Sequence, residues 1–149
     1  DARKQVMDFS TPSFQSTAGV LVKKGAHVTA QNLKNLRIGV KQGTVGQTLV
    51  ATVLKPTHAP SVFPGDDEMR AAVAAGTIDA GIQDLSIVLG GASQSHGTLA
   101  VIGQLQTDEA YGVMFPKGSA DVPTVDKTLA DFTADGTLKK LSAKYLTHA

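Results

Sequence analysis

Three short stretches of the chain carry groups suited to holding a small charged molecule. The first is Arg3, because a guanidinium is planar and offers two parallel N–H donors to a carboxylate. An isolated arginine in such a setting is more often only solvated. The second is Lys41-Gln42-Gly43-Thr44, which reads as a strand end turning into a helix. Backbone N–H groups at such a turn lack helical partners and favour an anion. An ordinary helix capped by Thr44 accounts for the same residues. The third is Gly76 to Asp84, where a strand runs out and leaves Asp84 at its carboxyl end. Ligands of open α/β sheets gather at that end, and a carboxylate there can hold an ammonium. A helix cap explains Asp84 equally well.

Other chemistries lack their residues. There is no cysteine, so disulfides, thiolate metal sites and cysteine nucleophiles are all excluded. His27, His58, His96 and His148 do not stand at metal-ligand spacing, and the first three fall in expected loops. No G-x-S-x-G and no P-loop occurs, and Gly39, Gly43 and Gly46 miss the dinucleotide spacing. Asp66-Asp67-Glu68 reads as a helix start, where acids suit the positive end of the dipole. No catalytic residue, metal ligand or cofactor is therefore expected. The formal net charge of +1, from 14 basic and 13 acidic residues, argues against a nucleic-acid partner, which usually needs a basic face. With 42% hydrophobic and 18% charged residues the composition is globular. No apolar run reaches the length that spans a bilayer.

The elements that must position these residues follow from periodicity and punctuation. Strands are predicted at 17–24, 37–41, 61–63, 78–82, 98–102 and 109–116. One helix runs from Thr44 to about Lys55 and stops at Pro56. A second covers Glu68 to Ala75, capped by Asp66 or Asp67 and ended by Gly76. A third opens at Asp84 and frays at Gly90-Gly91. In the tail, Val125, Leu129 and Phe132 form one apolar stripe, Gly136 breaks it, and Leu138, Leu141 and Tyr145 begin another. Strands alternate with helices from 36 to 102, which predicts right-handed β-α-β units and a mostly parallel sheet.

Taken in order, these stretches resemble the amino-acid-binding extracytoplasmic solute-binding proteins of ABC importers, family 3 of the type II periplasmic binding proteins. The resemblance runs through Arg3 with Val6 to Pro12, Leu36 to Thr44, Val73 to Asp84 and Glu109 to Lys117. It closes with Asp135-Gly136-Thr137 followed by Lys140 to Leu146. Each motif is weak, but five in correct order and spacing are specific.

The resemblance implies an α/β chain holding a complete lobe two and the C-terminal part of lobe one. Residues 1–16 would be a lobe-one remnant, 17–24 and 109–116 hinge strands, 25–108 lobe two and 117–149 the C-terminal helices of lobe one. It implies a free amino acid as ligand, bound in an interlobe cleft without chemistry and delivered to the membrane subunits of an ABC importer. Arg3 would hold the α-carboxylate, joined by the backbone N–H and hydroxyl of Thr44. Asp84 would take the α-ammonium, and Lys41 and Gln83 would line the side-chain pocket, with Lys41 hinting at a polar or acidic ligand. The location would be the periplasm, or the cell surface as a lipoprotein. The family's opening β-α-β segment has no counterpart here, so 1–16 and the tail helices should expose an apolar face and self-associate or be poorly ordered. Where the family often has two aromatics after the proline, this chain has Ser13-Phe14. Two alternatives share the fold. A cyclohexadienyl dehydratase would need a general acid, for which only Asp84 and Glu109 are candidates. A sensor or receptor lobe would continue into a membrane or signalling segment, which Lys144 to Ala149 does not suggest.

Overall fold

Alternating apolar and small residues, punctuated by glycine and proline, build seven strands and five α-helices among the described residues of the computed structural model, which are 2–146. The strands are β1 (Met7–Phe9), β2 (Phe14–Lys23), β3 (Ile38–Lys41), β4 (Ser61–Phe63), β5 (Ala80–Asp84), β6 (Leu99–Tyr111) and β7 (Met114–Pro116). The helices are α1 (Val45–Leu49), α2 (Asp66–Ala75), α3 (Leu85–Gln94), α4 (Val122–Ala134) and α5 (Thr137–Tyr145). The chain divides into two units, one of residues 2–16 and 108–146 and one of residues 17–107. It passes from one to the other inside β2 and again inside β6.

The unit of residues 17–107 is an α/β sandwich on a five-stranded sheet of order β4-β3-β5-β2-β6. β3 pairs in parallel with β4 and β5, and β2 pairs antiparallel with β5. On one face Val20, Val22, Ile38, Val40, Ala80 and Ile82 pack with Leu49 and Val50 from α1 and its π-helical continuation, Val50–Leu54. The opposite face is built differently. Gly39 and Gly81 stand opposite each other in the β3–β5 ladder. A Cβ on Gly39 would lie 2.4 Å from Ile78 Cδ1, and one on Gly81 would lie 3.3 Å from Met69. Glycine there lets α2 lie close against the sheet, with Met69 and Val73 fully buried.

The unit of residues 2–16 and 108–146 is smaller and more open. β1 pairs antiparallel with β7 as a two-stranded ribbon. Asp8 ties it together: Lys117 Nζ donates to Oδ1 at 2.7 Å and Gly118 N to Oδ2 at 2.7 Å. These bonds, the Lys117 one first, hold the Asp8 carboxyl below its ordinary value. The tail helices form where the apolar stripes predict them and separate at Gly136. Neither contains a buried residue, and Phe132, Leu141 and Tyr145 are exposed.

Several boundaries differ from the sequence expectation. α2 begins at Asp66 and is capped by Gly65, not by Asp66 or Asp67, because Asp66 is engaged elsewhere and Asp67 pairs with Arg70. α3 runs through Gly90-Gly91 to Gln94, and the Arg70 side chain lies across the helix at Gly91. The predicted strands 98–102 and 109–116 are replaced by one long β6, broken from β7 at Gly112-Val113. A Cβ on Gly112 would lie 3.0 Å from Ser10 O, and Val113 N donates instead to Ser10 Oγ. β2 starts at Phe14, three residues before its predicted start, where Ser13 N already donates to Tyr111 O. Thr147 to Ala149, at the end of the predicted tail, lie outside the described residues.

The amino ends of β3 and β5 are clamped by Arg37 and Asp79. Arg37 Nη2 meets Asp79 Oδ1 at 2.6 Å, Arg37 Nε meets Oδ2 at 3.1 Å, and Arg37 N donates to Oδ2 at 2.8 Å. The hydrogen bond from Arg37 holds the Asp79 carboxyl below its ordinary value, against the opposing effect of burial. A depressed carboxyl stabilises the fold above its unfolded-state pKa and stops doing so as pH falls through the folded-state value. Asp79→Asn is therefore expected to unfold at lower urea concentration than the natural chain at neutral pH. The gap should close as pH is lowered below the usual aspartate range, and a gap independent of pH would contradict the assignment.

Candidate functional site

The carboxyl ends of β3, β4 and β5 lie on one edge of the sheet because the three strands are parallel. Each feeds directly into a helix, β3 into α1, β4 into α2 and β5 into α3. Val40 and Ile82 are register partners, so the next residues, Lys41 and Gln83, emerge side by side. This edge collects Lys41, Thr44, Gln83 and Asp84, all within the unit of residues 17–107.

Thr44 is the N-cap of α1. Its Oγ1 accepts from Gln47 N at 3.3 Å and donates its own proton to Lys41 O at 2.8 Å. The hydroxyl therefore closes the turn, and its proton is directed at the backbone. Gly43 N is also engaged, donating to Gln47 Oε1 at 2.8 Å. Two residues on, Gly46 sits against β5: a Cβ there would be 2.9 Å from Ile82 O and 3.4 Å from Gln83 Cα. Only a glycine lets the start of α1 come this close to the strand that carries Gln83 and Asp84.

Asp84 ends β5 and caps α3, with Oδ1 accepting from Ser86 N at 2.9 Å and from Ser86 Oγ at 2.5 Å. Its own backbone N donates to Gln83 Oε1 at 2.9 Å. Gln83 is only 4% exposed, and its amide is fixed at both ends, since Nε2 donates to Asp66 Oδ1 at 2.8 Å. The second Asp66 oxygen accepts from Lys41 Nζ at 2.9 Å. Burial works against the Asp66 charge. The hydrogen bonds from Gln83 and Lys41, with the Lys41 and Arg70 charges, outweigh it and hold the carboxyl below its ordinary value.

The sequence reading gives Asp66 only as part of a helix start and misses its place in this network. A usable signal was present, because β4 is a third strand of the parallel set and Asp66 follows its carboxyl end. The partnership also changes the meaning of Lys41, whose charge is met by Asp66. Arg3 belongs to the other unit, in a short 3-10 turn over Ala2–Gln5, with its guanidinium 5.7 Å from the Phe9 ring centroid. It borders a groove of about 330 Å³ with Phe9, Ser10, Glu109 and Tyr111. Among the described residues no group of three or more His, Cys, Asp or Glu side chains could hold a metal ion. No helix among them is long and apolar enough to cross a membrane.

Residues 1–148 match the family described as bacterial extracellular solute-binding proteins, family 3. The chain belongs to that family. The L-cystine-binding protein TcyJ of Escherichia coli K12 is 32% identical over 149 residues, covering 97% of this chain and 56% of that protein. Among solved structures, the arginine-, lysine-, histidine-binding protein ArtJ of Geobacillus stearothermophilus is 29% identical with a TM-score of 0.65. That match covers 100% of this chain and 67% of the other. The second substrate binding domain of a putative amino acid ABC transporter from Streptococcus pneumoniae gives a TM-score of 0.76 at 27% identity. There the coverage is 99% of this chain and 68% of the other. The chain thus spans little more than half the length of the first curated relative. These relatives are named as binding proteins or domains, and the type II periplasmic binding fold expected from sequence is the one observed.

The contact of Gly46 with β5 is testable by stability. Gly46→Ala forces a Cβ onto a backbone carbonyl, which costs about 1–3 kcal/mol as overpacking. At most about 1 kcal/mol returns as helix propensity. A net loss of stability is expected in denaturant titration, and an unchanged or raised midpoint would show that α1 can retreat without cost.

Proposed function

We propose that this solute-binding protein binds a free amino acid and delivers it to the membrane subunits of an ABC importer, outside the cytoplasm, in the periplasm or as a cell-surface lipoprotein. The observation that carries the reading is the convergence of Lys41, Thr44, Gln83 and Asp84 on the carboxyl edge of one parallel sheet. The names of the relatives, which bind cystine or arginine, lysine and histidine, support an amino acid as ligand.

In this reading Asp84 receives the α-ammonium. A charge-assisted hydrogen bond in a water-poor site contributes on the order of 1.5–3 kcal/mol. The Thr44 backbone N–H serves the α-carboxylate, and the Thr44 hydroxyl keeps its structural role in the turn. Arg3 is assigned the carboxylate as well, since its guanidinium fork matches that group. Lys41 and Gln83 face the ligand side chain. No step breaks or forms a covalent bond, so the protein acts as a binder and not as an enzyme. The exposed Phe132, Leu141 and Tyr145 support self-association through the unit that carries them, and a concentration-independent monomer in sedimentation would count against that part.

Asp84 both caps α3 and bears the charge, and Asp84→Asn separates the two roles. Asparagine caps a helix about as well as aspartate but carries no charge for an ammonium. In the full-length protein this variant is expected to keep its melting temperature. Its amino-acid affinity should fall by roughly 2–5 kcal/mol, about thirtyfold or more, in titration calorimetry. Undiminished affinity would sink the assignment.

A further inference from the structure

The Lys41–Asp66–Gln83 network bears on a question that the binding reading leaves open, which is the charge of the ligand side chain. Lys41 alone would select an acidic ligand. It does not stand alone, because Asp66 reaches it from α2 at 2.9 Å while Gln83 holds the other Asp66 oxygen at 2.8 Å. The Lys41 and Asp66 side chains are 33% and 21% exposed, so water reaches the pair only in part. Farther along α2, Arg70 pairs with Asp67 and not with Asp66. Arg70 Nη1 also reaches Gln94 Oε1 at 3.3 Å. The Lys41–Asp66 pair therefore carries no net charge to offer a third group.

We propose that Asp66 is a specificity-determining residue: by neutralising Lys41 it sets the side-chain subsite for an amino acid with an uncharged polar side chain. This rests on the amino-acid-binding reading and deepens it. An acidic side chain would have to compete with Asp66 for Lys41, and a cationic one would compete with Lys41 for Asp66. An amide or hydroxyl displaces neither and can bond to the outer flanks of both. Gln83 keeps the arrangement rigid, because its amide is pinned between Asp66 and the backbone of Asp84.

The test removes one charge at a time in the full-length protein and reads selectivity by titration calorimetry with L-glutamine, L-glutamate and L-lysine. The natural protein is expected to prefer glutamine to both charged ligands. Asp66→Asn frees Lys41 and should raise the glutamate-to-glutamine affinity ratio by about tenfold or more, the size of one charge-assisted hydrogen bond. Lys41→Met leaves Asp66 without its cation and should raise the lysine-to-glutamine ratio by a similar factor. A purely structural role for the pair would weaken all three ligands alike and could not shift selectivity in opposite directions. Ratios unchanged in both variants, or a natural protein that prefers a charged ligand, would overturn the proposal while leaving amino-acid binding intact. Should none of the twenty amino acids bind the natural protein, the binding reading fails and this inference falls with it.

Discussion

Gly39 and Gly81 face each other across the β3–β5 ladder, and the absence of side chains at this pair governs how close α2 can come to the sheet. A helix normally stands off a sheet by the depth of the side chains between them. Here Met69 fills the shallow gap and is fully buried. The first turn of α2 is thereby lowered to the level of the strand ends, where the Asp66 carboxylate meets Lys41 and Gln83. Gly46 acts in the same way on the other face and brings the start of α1 against Ile82 and Gln83. The site edge is thus assembled by close backbone approach from two helices, and its polar groups follow from that packing.

The chemistry at the edge is governed by satisfaction of charge. A half-buried carboxylate without partners would be driven towards its neutral form. Asp66 stays ionised because two donors and nearby cations compensate its partial loss of water. Gln83 completes the system by joining Asp66 to the corner at Asp84. Networks of this kind hold geometry well when every member is paired, and no buried side-chain polar atom among the described residues lacks a partner. At the opposite end of the same strands, Arg37 and Asp79 fix where β3 and β5 begin. Both ends of the parallel pair are thus anchored by ions, while the middle is held by apolar burial.

Much of this was legible in the sequence. The alternation of strand and helix, the Thr44 cap and the position of Asp84 at a strand end follow from local periodicity and turn chemistry. Local signals fail where tertiary contacts decide. Gly90-Gly91 reads as a break, yet α3 continues to Gln94 and leaves Gly91 bare beneath the Arg70 side chain. Asp66 reads as one of three interchangeable acids, and only the parallel register with β3 shows which of them meets Lys41. The break at Gly112-Val113 is equally invisible in sequence, since it depends on Ser10, about a hundred residues earlier in the chain. Family motifs point to Lys41, Gln83 and Asp84 as candidates, but the pairing that neutralises Lys41 is a property of this chain's own packing.

β2 and β6 cross between the two units as hydrogen-bonded strands, with Gln15 Nε2 on Glu109 O at 2.8 Å on one side of the crossing and Thr17 Oγ1 on Gln104 Oε1 at 3.0 Å on the other. A loose tether explores many conformations even in a folded protein. Strands have already given up that freedom during folding. The conformational freedom that a flexible linker would keep after folding is therefore largely absent at these two crossings.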